Sequence, residues 1–391
     1  MDIYEELVRW RREGRCAALA TITGVHGSIP SFEAAKMMVC DDGSIAGSIG
    51  GGCVEAEVWQ AAREVIEQKT PRMLAFNLNK NPKYDTGLVC GGSLEIFIEP
   101  LLPVSDTTDV YEELVRWRRD GHRAALVTAI SLRASDRSLD VARMLIRDDG
   151  TIAGSLGGDF VEAGVIEAAR GVIEQEEPRK LACTLDKNPG GDSNLACDRV
   201  LEIFIEPLFP VPTVYVFGAG HVGYNVYRVA RVVGFEVVVV DDREAFANRG
   251  RFPDARDVHA DEFDSVMAEL AIHEAAFIVI ATRGHRDDMR VLRWAANTPA
   301  HYIGMIGSKR KVITIYRELE KEGISPDKLD RVSAPIGIDI GARTPEEIGV
   351  SVVAELIAAR CNSKTALPHL RLLRKLVREP QPAIEEPQAT S

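Results

Sequence analysis

The sequence predicts an α/β protein in which a doubly wound parallel sheet is preceded by two tandem small α+β domains. Three observations carry this expectation. First, "DIYEELVRWRR" from Asp2 returns as "DVYEELVRWRR" from Asp109, an offset of 107 that also relates Gly47 to Gly154, Glu55 to Glu162 and Cys90 to Cys197. The unit is too long and too few in number for a solenoid, so it reads as a duplicated domain. Second, the two prolines of "LFPVPT" at 208–213 are followed by a different grammar, long apolar runs alternating with helical stretches. Third, Gly218-x-Gly220-x-x-Gly223 falls between the first of those apolar runs and a helix.

Each repeat reads in order as a helix, a strand ("AALATIT"), a loop, a second strand ("KMMVCDDG" or "RMLIRDDG"), a glycine turn, a helix ("CVEAEVWQAAREVIEQ"), a strand ("RMLAFNL"), a loop and a last strand ("LEIFIEP"). Beyond the linker, "TVYVF", "FEVVVV", "AAFIVIAT" and "HYIGMIG" are apolar enough to be strands buried on both faces, separated by helices. The expected domains are 1–104 and its degenerate copy 105–211, then the parallel-sheet domain 212–362. Residues 363–391 are expected to form a basic helix and a Pro/Glu-rich disordered tail.

Composition narrows the function. The chain has 391 residues, 46% of them hydrophobic, and 47 basic against 59 acidic side chains give a net charge of −12. Such an acidic balance argues against nucleic acid as a partner. The amphipathic, charged start "MDIYEELVRWRREGR" and the lack of any long apolar run argue against a secretory leader or a membrane span, so a cytoplasmic location is expected. Seven cysteines, none in a C-x-x-C pair, predict free thiols and no structural zinc site.

Two of the thiols stand apart. Cys53 follows Gly50, Gly51 and Gly52 at the start of a helix, where N–H groups favour a thiolate. Cys90 precedes Gly91 and Gly92, again in a glycine turn. Soft sulfur ligands in turns of this kind suit a soft metal centre, although free cysteines are often no more than small buried hydrophobes. That plainer reading is preferred for Cys16, Cys40, Cys183 and Cys361, which sit inside strand or helix patterns.

In the last domain, Gly218, Gly220 and Gly223 with Asp241, 18 residues beyond Gly223, have the spacing of a dinucleotide fingerprint. Asp241 would bind a ribose diol and favour NAD over NADP. Asp242 and Arg243 continue the same strand end, and Ser308, Lys309 and Arg310 at a helix start offer an anion cradle. His221 and His285 are the acid/base candidates, each equally readable as a capping or solvated residue.

Taken together, "GSIGGGCVEAEV", "GLVCGGSLEIFIEPL", "GAGHVG", "VVVVDDR", "TRGHRDD", "YIGMIGSKRK" and "PIGIDIGARTPEEIGVSVVAEL" resemble the XdhC/CoxI family of molybdenum-hydroxylase maturation factors. The resemblance implies a Rossmann-like last domain. It also implies a protein that binds molybdenum cofactor (molybdopterin or its dinucleotide), works with a cysteine desulfurase that replaces an oxo ligand by sulfur, and delivers the cofactor to a xanthine dehydrogenase-type enzyme. Cys53 and Cys90 would then be the molybdenum contacts. Further copies of this chain are also expected partners.

The chain departs from the family in its duplicated first domain, whose second copy reads "GGDF" for "GGGC" and "ACDR" for "VCGG". Copy two is therefore expected to be structural, paired with copy one as an internal pseudo-dimer. Two other readings stand beside this one: an NAD(H)-dependent oxidoreductase or sensor, and a non-enzymatic docking scaffold.

Overall fold

In the computed structural model the described residues are 2–361 apart from 30, 79–90, 104–108, 134–140, 157–158 and 186–198. They form two units, Met1–Pro210 and Val211–Ser391. Copy one contributes α1 (Ile3–Arg12), β1 (Ala17–Ser28), β2 (Lys36–Cys40), β3 (Ile45–Gly47), α2 (Cys53–Gln68), β4 (Arg72–Asn77) and β5 (Gly91–Leu101). Copy two repeats the series as α3 (Val110–Arg119), β6 (Ala124–Arg133), β7 (Arg143–Arg147), β8 (Ile152–Ser155), α4 (Asp159–Gln175), β9 (Arg179–Leu185) and β10 (Arg199–Leu208). The two sheets are antiparallel with matching orders, β3-β2-β1-β5-β4 and β8-β7-β6-β10-β9.

Strand alternation explains how the copies join. Ala18, Ala20, Ile22, Met37, Val39, Ile96 and Ile98 project to one face and are buried under Val58, Ala62 and Val65 of α2. Ala17, Leu19, Met38, Cys40 and Leu101 project to the other, where they share one core with Tyr111, Leu114, Ala124, Leu126, Leu145 and Leu208 of copy two. Leu7, Val8 and Trp10 of α1 lie in the same core, so copy one covers part of this face itself and copy two completes the cover.

The junction is close to isologous, its central contacts coming in pairs related by the 107-residue offset. Arg11 pairs with Asp109 and Arg118 with Asp2, both at 2.8 Å. Arg12 Nε donates to Glu112 and Arg119 Nε to Glu5, again at 2.8 Å. Tyr4 and Tyr111 stack with centroids 6.0 Å apart. The Tyr4 hydroxyl donates to Glu206 and the Tyr111 hydroxyl to Glu99, at 2.7 and 3.2 Å. Behind them Lys36 is paired with Glu206 and Arg143 with Glu99.

The second unit runs β11 (Thr213–Phe217), α5 (His221–Val232), β12 (Glu236–Val240), β13 (Asp257–His259), α6 (Phe263–Glu269), β14 (Ala276–Ile280), α7 (His285–Ala295), β15 (Tyr302–Met305), α8 (Lys309–Lys321), α9 (Pro326–Asp330), β16 (Val332–Ser333) and α10 (Pro345–Arg360). Its six strands are all parallel in the order β13-β12-β11-β14-β15-β16. Counted within the unit this is 3-2-1-4-5-6, with the ligand crevice of such folds outside the carboxyl ends of β11 and β14. Strands β11, β12 and β14 are buried throughout, as their unbroken Val/Ile runs require. The expected α/β class, with a parallel Rossmann-like sheet after antiparallel N-terminal sheets, is the fold observed.

The segment 363–391, expected to be a basic helix and tail, lies outside the described residues. Cys361 departs from expectation: α10 ends at Arg360, so the cysteine falls at the C-cap and is exposed, beyond the buried face of the helix.

Candidate functional site

The thiol turn lies between the end of β3 at Gly47 and the start of α2 at Cys53. Glu55, in the first turn of α2, organises it by accepting from the Ser48 hydroxyl at 2.6 Å and from the Ile49 N–H at 3.1 Å. The Ser48 bond above all holds the Glu55 carboxyl below the usual carboxylate range. Ser48 Oγ accepts in turn from the Gly50 N–H, and Ser31 Oγ donates to the Ile49 carbonyl at 3.0 Å, tying the turn to the loop after β1.

Beyond this anchor Gly50, Gly51 and Gly52 are exposed, with φ of 114°, 80° and 75°. These are left-handed conformations that residues with a Cβ resist. The run carries the chain outward to Cys53, which is exposed at the first position of α2 with no side chain capping the helix. The turn thus projects an accessible sulfur at a helix N-terminus.

Cys90 lies outside the described residues. The glycines after it open β5, where Gly91 faces Ser28 and Gly92 faces Gly27 of β1. A Cβ on Gly92 would sit 2.4 Å from the His26 carbonyl oxygen and 2.7 Å from the Ile29 side chain. Gly92 is therefore required by strand packing. The described cysteines 16, 40, 53, 183 and 361 are all free thiols. Among the described residues, ligand atoms close enough to share a metal ion occur at Cys40, Asp41 and Asp42, and Cys53 is outside that group.

In the second unit the three fingerprint glycines have three separate jobs. A Cβ on Gly218 would lie 2.2 Å from the Ala281 carbonyl oxygen, so Gly218 permits the close approach of β11 and β14. A Cβ on Gly223 would lie 1.9 Å from the Gly218 carbonyl oxygen, so Gly223 lets α5 sit down on the loop. A Cβ on Gly220 would meet nothing within 4 Å; this is the open position, where a phosphate can approach the backbone. His221 follows as the first, exposed residue of α5.

Asp241 does not face that open space with free oxygens. Its Oδ2 accepts from the Ala219 N–H at 2.7 Å and from Arg243 Nη2 at 2.9 Å. Its Oδ1 accepts from the Arg243 N–H at 3.1 Å and Nε at 2.8 Å. Burial alone would raise its pKa, but the Arg243 and Ala219 hydrogen bonds outweigh burial and hold the carboxyl below the usual range. Arg243 lies over the Phe246 ring, 3.8 Å from the centroid. Asp242 is paired with Arg283, from the loop after β14.

At α8, Ser308 is the N-cap and accepts from the Lys311 N–H, while Lys309 and Arg310 are exposed. Lys311, the third cation of this turn, is paired with Asp288, which is fully buried and also accepts from the Thr282 N–H and hydroxyl at 3.1 and 2.5 Å. His285 is the exposed first residue of α7.

A model of the XdhC Rossmann domain matches residues 214–356. A model of the XdhC and CoxI family matches twice, at 10–77 and at 117–185, the same 107-residue offset. The chain belongs to the XdhC and CoxI family. Its relatives include the uncharacterized protein YqeB of Escherichia coli, 32% identical over 58% of this chain and 42% of YqeB, so the chain spans less than half of that relative. A probable xanthine dehydrogenase subunit of Bacillus subtilis is 26% identical over 88% of this chain and 93% of its own length. PaoD of Escherichia coli, a molybdenum cofactor insertion chaperone, is 29% identical over 26% of this chain and 32% of PaoD. A crystal structure named as a xanthine dehydrogenase from Bacillus halodurans shares the fold, with a TM-score of 0.68 at 24% identity, over 95% of this chain and all of that one. Among the described residues, no helix is long and apolar enough to cross a membrane.

For this XdhC and CoxI family member, sequence reasoning missed Glu55, Lys36 and Glu206, and it missed that Asp241 is spent on Arg243. Glu55 carries a signal, since Glu162 keeps its place in copy two. So do Lys36 and Glu99, charged residues inside apolar strands that recur as Arg143 and Glu206.

Proposed function

We propose that this protein binds molybdenum cofactor and passes it to a xanthine dehydrogenase-type molybdenum hydroxylase, a maturation role rather than a redox one. The observation that carries the reading is the exposed Cys53 at the tip of three left-handed glycines, whose third glycine and cysteine are replaced by Asp159 and Phe160 in the sequence of copy two. A thiolate there supplies a soft ligand to the metal of the cargo. The backbone N–H groups of the glycine turn and the start of α2 favour an anionic dithiolene or phosphate. Glu55 keeps the turn in shape without touching the cargo. Cys90 is proposed as the second sulfur, and a cysteine desulfurase as the source of the sulfur that replaces an oxo ligand. The PaoD relationship supports the reading in general terms.

The test is purification in the presence of molybdopterin, followed by metal and pterin analysis. One thiol turn per chain predicts at most one cofactor per chain, and both Cys53→Ala and the Cys53→Ala, Cys90→Ala double variant should lose it. Equal retention by wild type and double variant would remove the thiol role.

A second reading, nucleotide binding by the C-terminal unit, is favoured by the open position above Gly220 between the two packed glycines. It is compatible with the first, because the thiol turn and the glycine loop belong to different units and neither reading uses the residues of the other. Calorimetric titration with nucleotides decides it.

A further inference from the structure

The fingerprint implies NAD, whose ribose diol would be held by an acid at the end of β12. The residues present do not fit that ligand. A carboxylate has about four acceptor sites, and Asp241 uses its two oxygens on four donors, the Ala219 N–H and three from Arg243. It is also buried, so a ribose hydroxyl could reach it only by displacing the guanidinium or the glycine loop.

What this strand end presents to solvent is the guanidinium. Arg243 is 28% exposed, its Nη1 takes part in none of the bonds to Asp241, and one of its faces rests on Phe246. Arg251 stands beside it, its guanidinium 5.3 Å from the centroid of the same ring, with Nη1 donating to the carbonyls of Ala219 and Phe246. Asp242, the other acid of this strand end, lies 3.8 Å from Arg243 Nε but is also paired with Arg283. Two acids, Asp241 and Asp242, thus face three guanidinium groups, and Arg243 is fixed in plane by a bidentate carboxylate and an aromatic face.

Resting on the reading of the C-terminal unit as a nucleotide-binding unit, we infer that Arg243 makes it selective for a ribose carrying a phosphate, in the manner of NADP rather than NAD. Asp241 is a positioning residue in this scheme, orienting the guanidinium while neutralising only part of its charge. The phosphate takes the remaining donors of Arg243, and the rest of the nucleotide follows the glycine loop toward Gly220.

Calorimetry on the full chain with NAD+, NADP+, adenosine and adenosine 2′-monophosphate tests this. Wild type should bind NADP+ at least about tenfold more tightly than NAD+, a difference of about 1.4 kcal/mol, and adenosine 2′-monophosphate more tightly than adenosine. Arg243→Ala should abolish the preference by weakening NADP+ without weakening NAD+, because Asp241 is then released. Arg243→Lys, which keeps the charge and loses the fork, should retain only part of it. Equal or tighter binding of NAD+ by wild type, or a preference that survives Arg243→Ala, overturns the inference while leaving nucleotide binding intact. Absence of binding by all four probes at millimolar concentration overturns both.

Discussion

Removing the Glu206 carboxylate should cost the N-terminal unit a large part of its stability, and the magnitude follows from what is left behind. Lys36 and Glu206 have side chains only 5% and 6% exposed, and they pair across the junction of the two copies. Glu206 also accepts from the buried Tyr4 hydroxyl at 2.7 Å. In Glu206→Ala the Lys36 ammonium keeps a single hydrogen bond, to the Ala34 carbonyl at 3.2 Å, in a site that is largely buried. Breaking a buried pair in this way costs about 3–5 kcal/mol, whereas replacing both partners by apolar residues of similar volume is often close to neutral. The exposed pair Arg12–Glu112, whose arginine is 65% exposed, provides the contrast. Arg12→Ala should cost no more than about 1 kcal/mol. Urea unfolding followed by fluorescence, with Trp10 buried in the shared core as an internal probe, would rank the variants. The expected order is Glu206→Ala well below Lys36→Met/Glu206→Leu, with Arg12→Ala near wild type. A loss below about 1 kcal/mol for Glu206→Ala, or a double variant as unstable as the single one, would refute the reasoning.

Glycine substitutions should separate support from tip. Gly47→Ala forces a Cβ to within 2.5 Å of the Lys36 carbonyl oxygen at a φ of 76°, whereas Gly52→Ala, at a φ of 75°, meets nothing within 4 Å. The second should cost about 1 kcal/mol of backbone strain and the first clearly more; equal melting temperatures would contradict this. Acid unfolding provides another check. The Asp241 carboxyl titrates below its unfolded value, so its stabilisation is fully present above about pH 4 and is lost as pH falls through the folded pKa. Asp241→Asn should flatten the decline in stability as pH falls below about 4, and an unchanged slope there would show that Asp241 is not the group responsible. Glu55→Gln should loosen the turn without removing the sulfur. It is expected to speed alkylation of Cys53 and weaken cofactor retention, and unchanged rates would leave Glu55 as a helix-end residue only.

The architecture was legible because it rests on periodicity. Valine and isoleucine runs on both sides of a glycine loop specify buried parallel strands, and the constant 107-residue offset specifies two copies of one α+β unit. Short elements escape such reasoning: β3, three residues that complete the antiparallel sheet, merges in sequence with the glycine turn, and β13 and β16 are too brief to show a pattern. The thiol turn was legible at Cys53 because the degenerate copy acts as an internal control. The role of Asp241 was not, because sequence spacing places the acid at the strand end without revealing that its neighbour two residues on, Arg243, folds back to take both oxygens. A local competitor for a hydrogen bond is invisible to a motif.

The same physics explains what copy two keeps and what it has lost. An isologous junction makes its central residues each answer for a contact of the other copy. Arg143 neutralises Glu99 of copy one just as Lys36 neutralises Glu206, and Tyr111 completes the first centre as Tyr4 completes the second. Losing any of these from copy two would leave a buried charge or hydroxyl of copy one without its partner. Leu114, Leu126 and Leu145 of copy two are held in the same way, since they share one core with Leu19, Met38 and Leu101. The glycine turn carries no such obligation. Gly154, at a φ of 80°, still meets the Arg143 carbonyl as Gly47 meets that of Lys36, since the strands must turn there in both copies. Past that point Gly52 and Cys53 give way to Asp159 and Phe160. Gly50, Gly51 and Glu55 recur as Gly157, Gly158 and Glu162, so the constraint on the second copy lapses only at the tip, which leaves the exposed thiol of the first copy as chemistry that the fold itself does not require.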